Sequence, residues 1–358
     1  MERKRYIDVL RSIAILFMIE VHISAQLSPS NVSGDSLIAL IAASIGGLAA
    51  PLFVTLSGWG VQHSLVKNVT NEVLKKSIIY WAISRCLFLL ICQLIVNLIA
   101  SHVFNWYTPG VLSLLAICSL LSIPISKIKI KHKLLFMLFV CLTPIINTYF
   151  LNMNGDWNFI ITANSPLEWF ERLLFNGTYP LFPWATFFLL GGILRDSKDL
   201  LNKKIMGIGV LFSSSYIVYS IFTNNTWAAT NGDAILTFFP ASIPFIITAN
   251  TTVLIFFIFF GKYENVLKKS NLANQFTKIG GLSLTIYMLH FIPLRILDEF
   301  NLNDWGLFES TIITLCFTFV WWPLSMVHNK YFKKYSFESL LRFISAKKNI
   351  PNTSVREA

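Results

Sequence analysis

The chain has 358 residues, 54% of them hydrophobic and only 13% charged, with a formal net charge of +11. Soluble domains carry nearer ~25% charged residues, so this composition excludes an ordinary soluble enzyme and points to a polytopic helical membrane protein. The positive balance is then the Lys/Arg excess of cytoplasmic loops, and no nucleic-acid partner is expected.

Apolar runs near 7–25, 37–66, 77–101, 109–126, 133–151, 179–194, 205–222, 242–261, 278–297 and 306–328 predict an all-α transmembrane bundle of about ten spans. Gly46, Gly47 and Pro51 predict a break or kink midway through the second. Charge tests the count. Lys and Arg populate the start of the chain, 67–76, 127–133, 195–204, 262–278 and the tail, while 26–36, 102–108, 223–241 and 298–305 have none and 152–178 has only Arg172. By this alternation both termini are expected on the cytoplasmic side.

Met1 to Arg5 is basic like a signal n-region, but Arg11, Glu20 and His22 interrupt the run that follows, so no cleavable signal is expected. The transmembrane domain is expected over 1–348, with 349–358 a disordered polar tail. Residues 164–176 and 336–345 read as amphipathic helices on the outer and inner surfaces, making membrane lipid a partner. The expected location is the cytoplasmic membrane of a prokaryote.

The first span carries Asp8, Arg11, Glu20 and His22. A charge at the bilayer centre costs at least ~2.5–3.5 kcal/mol, so such residues are functional candidates by default. Asp8 and Arg11 share a helix face, and His22, eleven residues beyond Arg11, returns to it roughly 16 Å further along. Glu20 points nearly the opposite way and has no visible partner. Arg85 falls in the inner half of the third span; Ser283, Tyr287 and His290 lead outward along the ninth.

Two arginines towards the inside and two deeper histidines suit a ligand with a phosphorylated head and a reactive far end. Bland readings exist: Arg11 can snorkel or pair with Asp8, and a membrane histidine can be only an interhelical hydrogen-bond partner. His63, His102, His132 and His328 read as structural. The five cysteines lie in apolar spans without CxxC spacing, so neither a disulfide framework nor a metal is expected.

Ile7-Asp8-Val-Leu-Arg11-Ser-Ile-Ala14, followed at a distance by His22, resembles the first helix of membrane acyltransferases of the acyltransferase-3 superfamily. Four stretches resemble its heparan-α-glucosaminide N-acetyltransferase-like branch: Gly47-Leu-Ala-Ala-Pro51-Leu-Phe53-Val-Thr-Leu-Ser57-Gly58, Gly177-Thr-Tyr179-Pro180-Leu-Phe-Pro183-Trp184 with Gly191-Gly192, Phe238-Phe-Pro240-Ala-Ser242, and Ser283-Leu-Thr-Ile-Tyr287-Met-Leu-His290-Phe. The resemblance runs from about residue 3 to 343, and the order and spacing of the motifs carry it. It departs at Ser12, where the family usually has glycine. It departs also in 26–36, which has no histidine where the animal enzymes of the branch place theirs, so the catalytic expectation falls on His22.

The resemblance implies transfer of an acetyl or short acyl group from cytoplasmic acetyl-CoA, as co-substrate, to a hydroxyl or amine outside. Arg11 and Arg85 are the expected donor-binding residues. His22 is the expected general base, or a nucleophile that carries the acetyl group covalently, with His290 the second catalytic candidate. Asp8, Ser283 and Tyr287 are expected to orient these groups, and Ser57 can join them. The acceptor is expected to be a carbohydrate or glycoconjugate met by Asp156, Trp157 and Asp233 in the longest external loops. A homo-oligomer is compatible with this reading. The competing class is a transporter or exporter of a polar or lipid-linked metabolite, which would also bury charges in broken helices.

Overall fold

The structure, a computed structural model, describes residues 4–27, 29, 36–66, 72–150, 156–196, 203–230, 234–300 and 305–345. The helices are, in order, α1 (Arg5–Gln26), α2 (Leu37–Val66), α3 (Glu72–Ile99), α4 (Val111–Ser126), α5 (Ile130–Phe150), α6 (Trp157–Ile161), α7 (Pro166–Glu171), α8 (Leu181–Asp196), α9 (Lys203–Phe222), α10 (Ile243–Lys262), α11 (Glu264–Lys269), α12 (Asn271–Gly280), α13 (Ser283–Leu289), α14 (Phe291–Glu299), α15 (Leu307–Tyr331) and α16 (Phe337–Ser345). Among the described residues no strand forms, only an isolated bridge between Phe238 and Ala241.

Among the described residues, six helices are long and apolar enough to cross a membrane, or eight if each of two bent pairs is one span. The six lie in α2, α3, α5, α9, α10 and α15; the bent pairs are Pro166–Asn176 with α8 and α12 with Ser283–Glu299. Large apolar side chains stand on the outside of these helices: Leu135 and Phe139 on α5, Leu211 and Phe222 on α9, Phe308 and Phe319 on α15. A surface of that kind is expected where hydrocarbon replaces water.

The middle of the bundle belongs to α1. It packs against α2, α10, α12, α13 and α15, and Ile7, Leu10, Ala14, Ile15, Met18, Ile19 and Ile23 are buried on several of its faces. A helix apolar nearly all round is one that other helices surround.

The break falls in another run than the one expected to carry it. The second apolar run does not break: α2 passes unbroken through Gly46, Gly47 and Pro51. A proline ring clashes with the residue four before it, and here that residue is Gly47, with no side chain to add to the crowding. The ninth run breaks instead, at Gly280-Gly281-Leu282, where its two parts bend by 57°. The expected surface helix over 164–176 is α7, continued as a π-helical turn over Arg172–Asn176.

The tightest helix contact joins α2 and α8. A Cβ on Gly191 would run into the Thr55 carbonyl, and one on Gly58 into the Phe188 carbonyl. Small residues let the two backbones touch, as helix packing in membranes favours. Gly191→Ala is therefore expected to cost about 1–3 kcal/mol by overpacking. A lowered thermal unfolding midpoint of the purified protein would record it, and an unchanged midpoint would mean that α2 and α8 can part freely.

Candidate active site: a basic cavity and a pair of imidazoles

The break after α12 exists against α1. A Cβ on Gly280 would stand 2.5 Å from the Asp8 carbonyl oxygen and 2.9 Å from the Ser12 nitrogen, so only glycine allows this approach. The Ser12 hydroxyl, standing where the resemblance expects glycine, takes the Gly280 N–H at 2.9 Å and lies 2.9 Å from the Phe276 carbonyl oxygen. This contact sets α13 against α1, and the two site helices with it.

Neither helix caps itself. Lys4 before α1 and Leu282 before α13 make no side-chain capping bond. Carboxylates from distant helices supply the acceptors. Glu264 of α11 accepts from the Arg5 and Tyr6 amides at 2.9 and 2.7 Å. Glu338 of α16 accepts from the Leu284 and Thr285 amides at 2.6 and 3.1 Å and from the Thr285 hydroxyl at 2.6 Å. Each fills orphan N–H groups of a first turn and sits where the helix dipole favours negative charge.

His290 follows α13 and meets His22 of α1, with His22 Nδ1 2.8 Å from His290 Nε2. The rings are inclined by only 7° with centroids 5.1 Å apart. That spacing equals two ring radii and one N···N bond, so they lie edge to edge in a plane rather than face to face. His290 is fully buried, with Nδ1 3.1 Å from the Ile286 carbonyl oxygen. A carbonyl only accepts, so the His290 proton sits on Nδ1 and its Nε2 is an acceptor. His22 must then donate from Nδ1, which leaves His22 Nε2 with its lone pair. The Phe291 ring, 4.9 Å from that of His22 and 4.2 Å from that of His290, walls the pair.

A cavity of about 570 Å³ opens between α1, α2, α3, α4, α13 and α16. Lys4, Arg11, His63, Arg85 and Arg342 line it together with Asp8 and Glu338; its apolar part is lined by Phe53, Leu56, Leu89, Leu112 and Leu115. Arg11 reaches Asp8 at 3.4 Å with about a third of its side chain exposed. Arg85 donates from Nε to the Ser119 hydroxyl at 3.1 Å and lies close enough to Arg11 for the two charges to repel. An anion between them would relieve that repulsion through charge-assisted hydrogen bonds.

Ser283 also lines the cavity, but His22, His290 and Tyr287 do not. The Phe53 ring at its apolar end lies 6.3 Å from that of Tyr287, which lies 5.7 Å from that of His290. The order is basic lining, apolar arm, Phe53, Tyr287, then the imidazole pair.

The remaining candidates lie elsewhere. Asp156 caps α6 by accepting from the Phe159 amide at 3.2 Å, and the Trp157 ring packs between those of Phe104 and Phe239. Asp233 lies outside the described residues. One oxygen of Glu20 is buried without a hydrogen-bond partner among the described residues. No group that could hold a metal ion occurs among them, and the five cysteines are free.

Sequence reasoning passed over two of these residues. His63, read as structural, lines the cavity stacked on Trp59 at 5.0 Å. Its one signal was a place on the α2 face that carries Ser57 and Gly60. Glu338 carried no signal, because its partners lie more than fifty residues away.

A helical bundle with many apolar helices, a basic cavity and an imidazole pair whose inner member, His290, is buried defines a membrane protein with groups suited to acid–base chemistry. Residues 3–205 match the family described as heparan-alpha-glucosaminide N-acetyltransferase, catalytic, and the chain belongs to that family. The match takes in Arg11, His22, Ser57 and Arg85, whereas His290 and Glu338 lie beyond it. Comparison with curated proteins found no match. Membership makes the chain an acetyltransferase and sets aside the transporter reading.

Glu338→Ala is expected to destabilise the purified protein by about 1.5–3 kcal/mol, the range for hydrogen bonds to charged groups. Glu338→Gln, whose amide oxygen can still accept, should recover part of it. Equal unfolding midpoints for wild type and Glu338→Ala would show that α13 does not depend on this cap.

Proposed function

We propose that the protein carries an acetyl group from cytoplasmic acetyl-CoA to a hydroxyl or amine of a sugar-like acceptor on the opposite side of the membrane. The observation that carries this reading is the arrangement along α1: a cavity lined by Arg11 and Arg85 near its start, and an imidazole with an available lone pair about three turns later. The same motifs support the wider kinship with the acyltransferase-3 superfamily. The loop-charge pattern supports ten spans with both termini cytoplasmic; α1 and the 16-residue α4 would be the two beyond the eight candidate spans. The cavity, formed at the start of α1 and the end of α2, then faces the cytoplasm, in a prokaryotic cytoplasmic membrane.

In this mechanism Arg11 and Arg85 hold the donor phosphates, and Asp8 orients the Arg11 guanidinium. The acyl arm runs along the apolar lining towards Phe53 and Tyr287. His22 Nε2 takes the proton from the acceptor's O–H or N–H as its heteroatom attacks the thioester carbonyl. The C–O or C–N bond forms, the C–S bond breaks, and the imidazolium returns the proton to the departing thiolate. His290 holds His22 in the tautomer that leaves Nε2 unprotonated, and its bond to the Ile286 carbonyl keeps that order. Ser283 and Tyr287 lie along the path as orienting groups. Asp156, Trp157 and Asp233 are proposed to meet the acceptor on the outer side.

The test uses one purified sample for two readouts, CoA binding and acetyl-CoA consumption with glucosamine as probe acceptor. Arg11→Ala and Arg85→Ala should each weaken CoA binding by about 1.5–3 kcal/mol, with lysine restoring only part because it lacks the planar fork. Normal CoA binding by both variants would place the head group elsewhere. His22→Ala should bind CoA and transfer nothing, while His290→Ala should turn over slowly. Turnover of folded His22→Ala within a few-fold of wild type would return this histidine to packing. Sidedness has its own check: cysteines engineered into 26–36 and 223–241 should react with an impermeant reagent in intact cells and those in 127–133 should not, the reverse pattern inverting the donor side.

A further inference from the structure

A serine hydroxyl inside a helix usually bonds the carbonyl one turn before it. Several in this bundle do: Ser12 to Asp8, Thr55 to Pro51, Ser64 to Gly60 and Ser119 to Leu115, at 2.7–3.1 Å. Ser57 does not. Its Oγ is buried with no hydrogen-bond partner among the described residues, and the residue lines the cavity. A buried hydroxyl left unpaired is unfavourable, and such a group calls for an explanation. Here the cavity provides one.

Depth says what the hydroxyl would meet. On α2 the cavity is lined in turn by Gly60, Ser57 and Phe53. At Gly60 the Arg11 guanidinium comes so close that an added Cβ would lie 3.1 Å from Nη2. Ser57 lies three residues deeper, ~4.5 Å along the helix, and Phe53 another ~6 Å beyond it. The hydroxyl is therefore about one turn past the point where the Arg11 guanidinium meets α2, on the way to Phe53. One turn deeper on the same helix the lining is the apolar Phe53, and Leu112 and Leu115 of α4 also line the cavity. An unpaired neutral hydroxyl between the Arg11 guanidinium and the apolar Phe53 fits a neutral polar group on an extended chain, which is an amide rather than a phosphate or the reacting thioester.

We propose that the Ser57 hydroxyl hydrogen-bonds an amide of the pantetheine arm of the donor and so fixes how far the arm is threaded. This rests on the acetyl-CoA reading of the cavity. Ser57 is then a donor-binding and positioning residue.

The experiment compares binding of CoA with binding of adenosine 3′,5′-bisphosphate, which has the nucleotide end and no arm, to detergent-purified full-length protein. Ser57→Ala should weaken CoA by about three- to tenfold and leave the bisphosphate within about twofold of wild type. Ser57→Thr, which keeps the hydroxyl, should bind CoA more tightly than Ser57→Ala does. Unchanged CoA affinity in folded Ser57→Ala would overturn the proposal, and so would an equal loss for both ligands, which would place the effect at the head group. Wild-type protein that binds neither ligand would instead sink the acetyl-CoA reading, and the arm contact with it.

Discussion

The contact of α1 with the break at Gly280 is the constraint on which the site depends. Ser12 accepts the Gly280 N–H, and the absent glycine side chain lets the Asp8 carbonyl close in. Because both partners are backbone or nearly so, they hold the register of α13 along α1 more strictly than long side chains could. Arg11 lies just before Ser12 and Ser283 just after the break, so one contact aligns the lining of the cavity. His22 and His290 follow at similar distances along their helices, ten residues beyond Ser12 and Gly280 respectively. Their rings meet because the helices were already in register.

The capping pattern serves the same end. Two helices that bear the imidazoles start without caps of their own, and Glu264 and Glu338 reach in from other helices to accept their first-turn amides. An uncapped helix end in a membrane protein leaves donors that hydrocarbon cannot satisfy. Giving that role to distant carboxylates ties α11 to α1 and α16 to α13. It also makes the amphipathic α16 part of the cavity lining, through Glu338, Leu341 and Arg342.

The site separates two kinds of chemistry along α1. Cations gather where a charged head group can still be partly hydrated, and Arg11 keeps about a third of its side chain exposed there. The imidazoles sit deeper, where His290 is fully buried and hydrogen-bonded to a backbone carbonyl. A neutral pair tolerates that depth, whereas an unpaired cation would not. Phe53 and Tyr287 stand between the two regions, so aromatic rings separate the basic lining from the imidazole pair.

Much of this was legible in the sequence because it depends on local spacing. The separation of Asp8, Arg11 and His22 places them on one side of a helix whatever surrounds it, and the apolar runs marked nearly every long helix. The direction in which His22 and His290 hydrogen-bond was not legible, because it follows from where the Ile286 carbonyl lies. The break after α12 was not foreseen, while the one expected in α2 is absent: glycine and proline permit a break without requiring it, and the approach of α1 to Gly280 came only with the tertiary structure. Glu338, His63 and the unpaired Ser57 hydroxyl came only with the tertiary structure. Periodicity tells which side of its own helix a residue occupies, and nothing in it tells what another helix brings to that side.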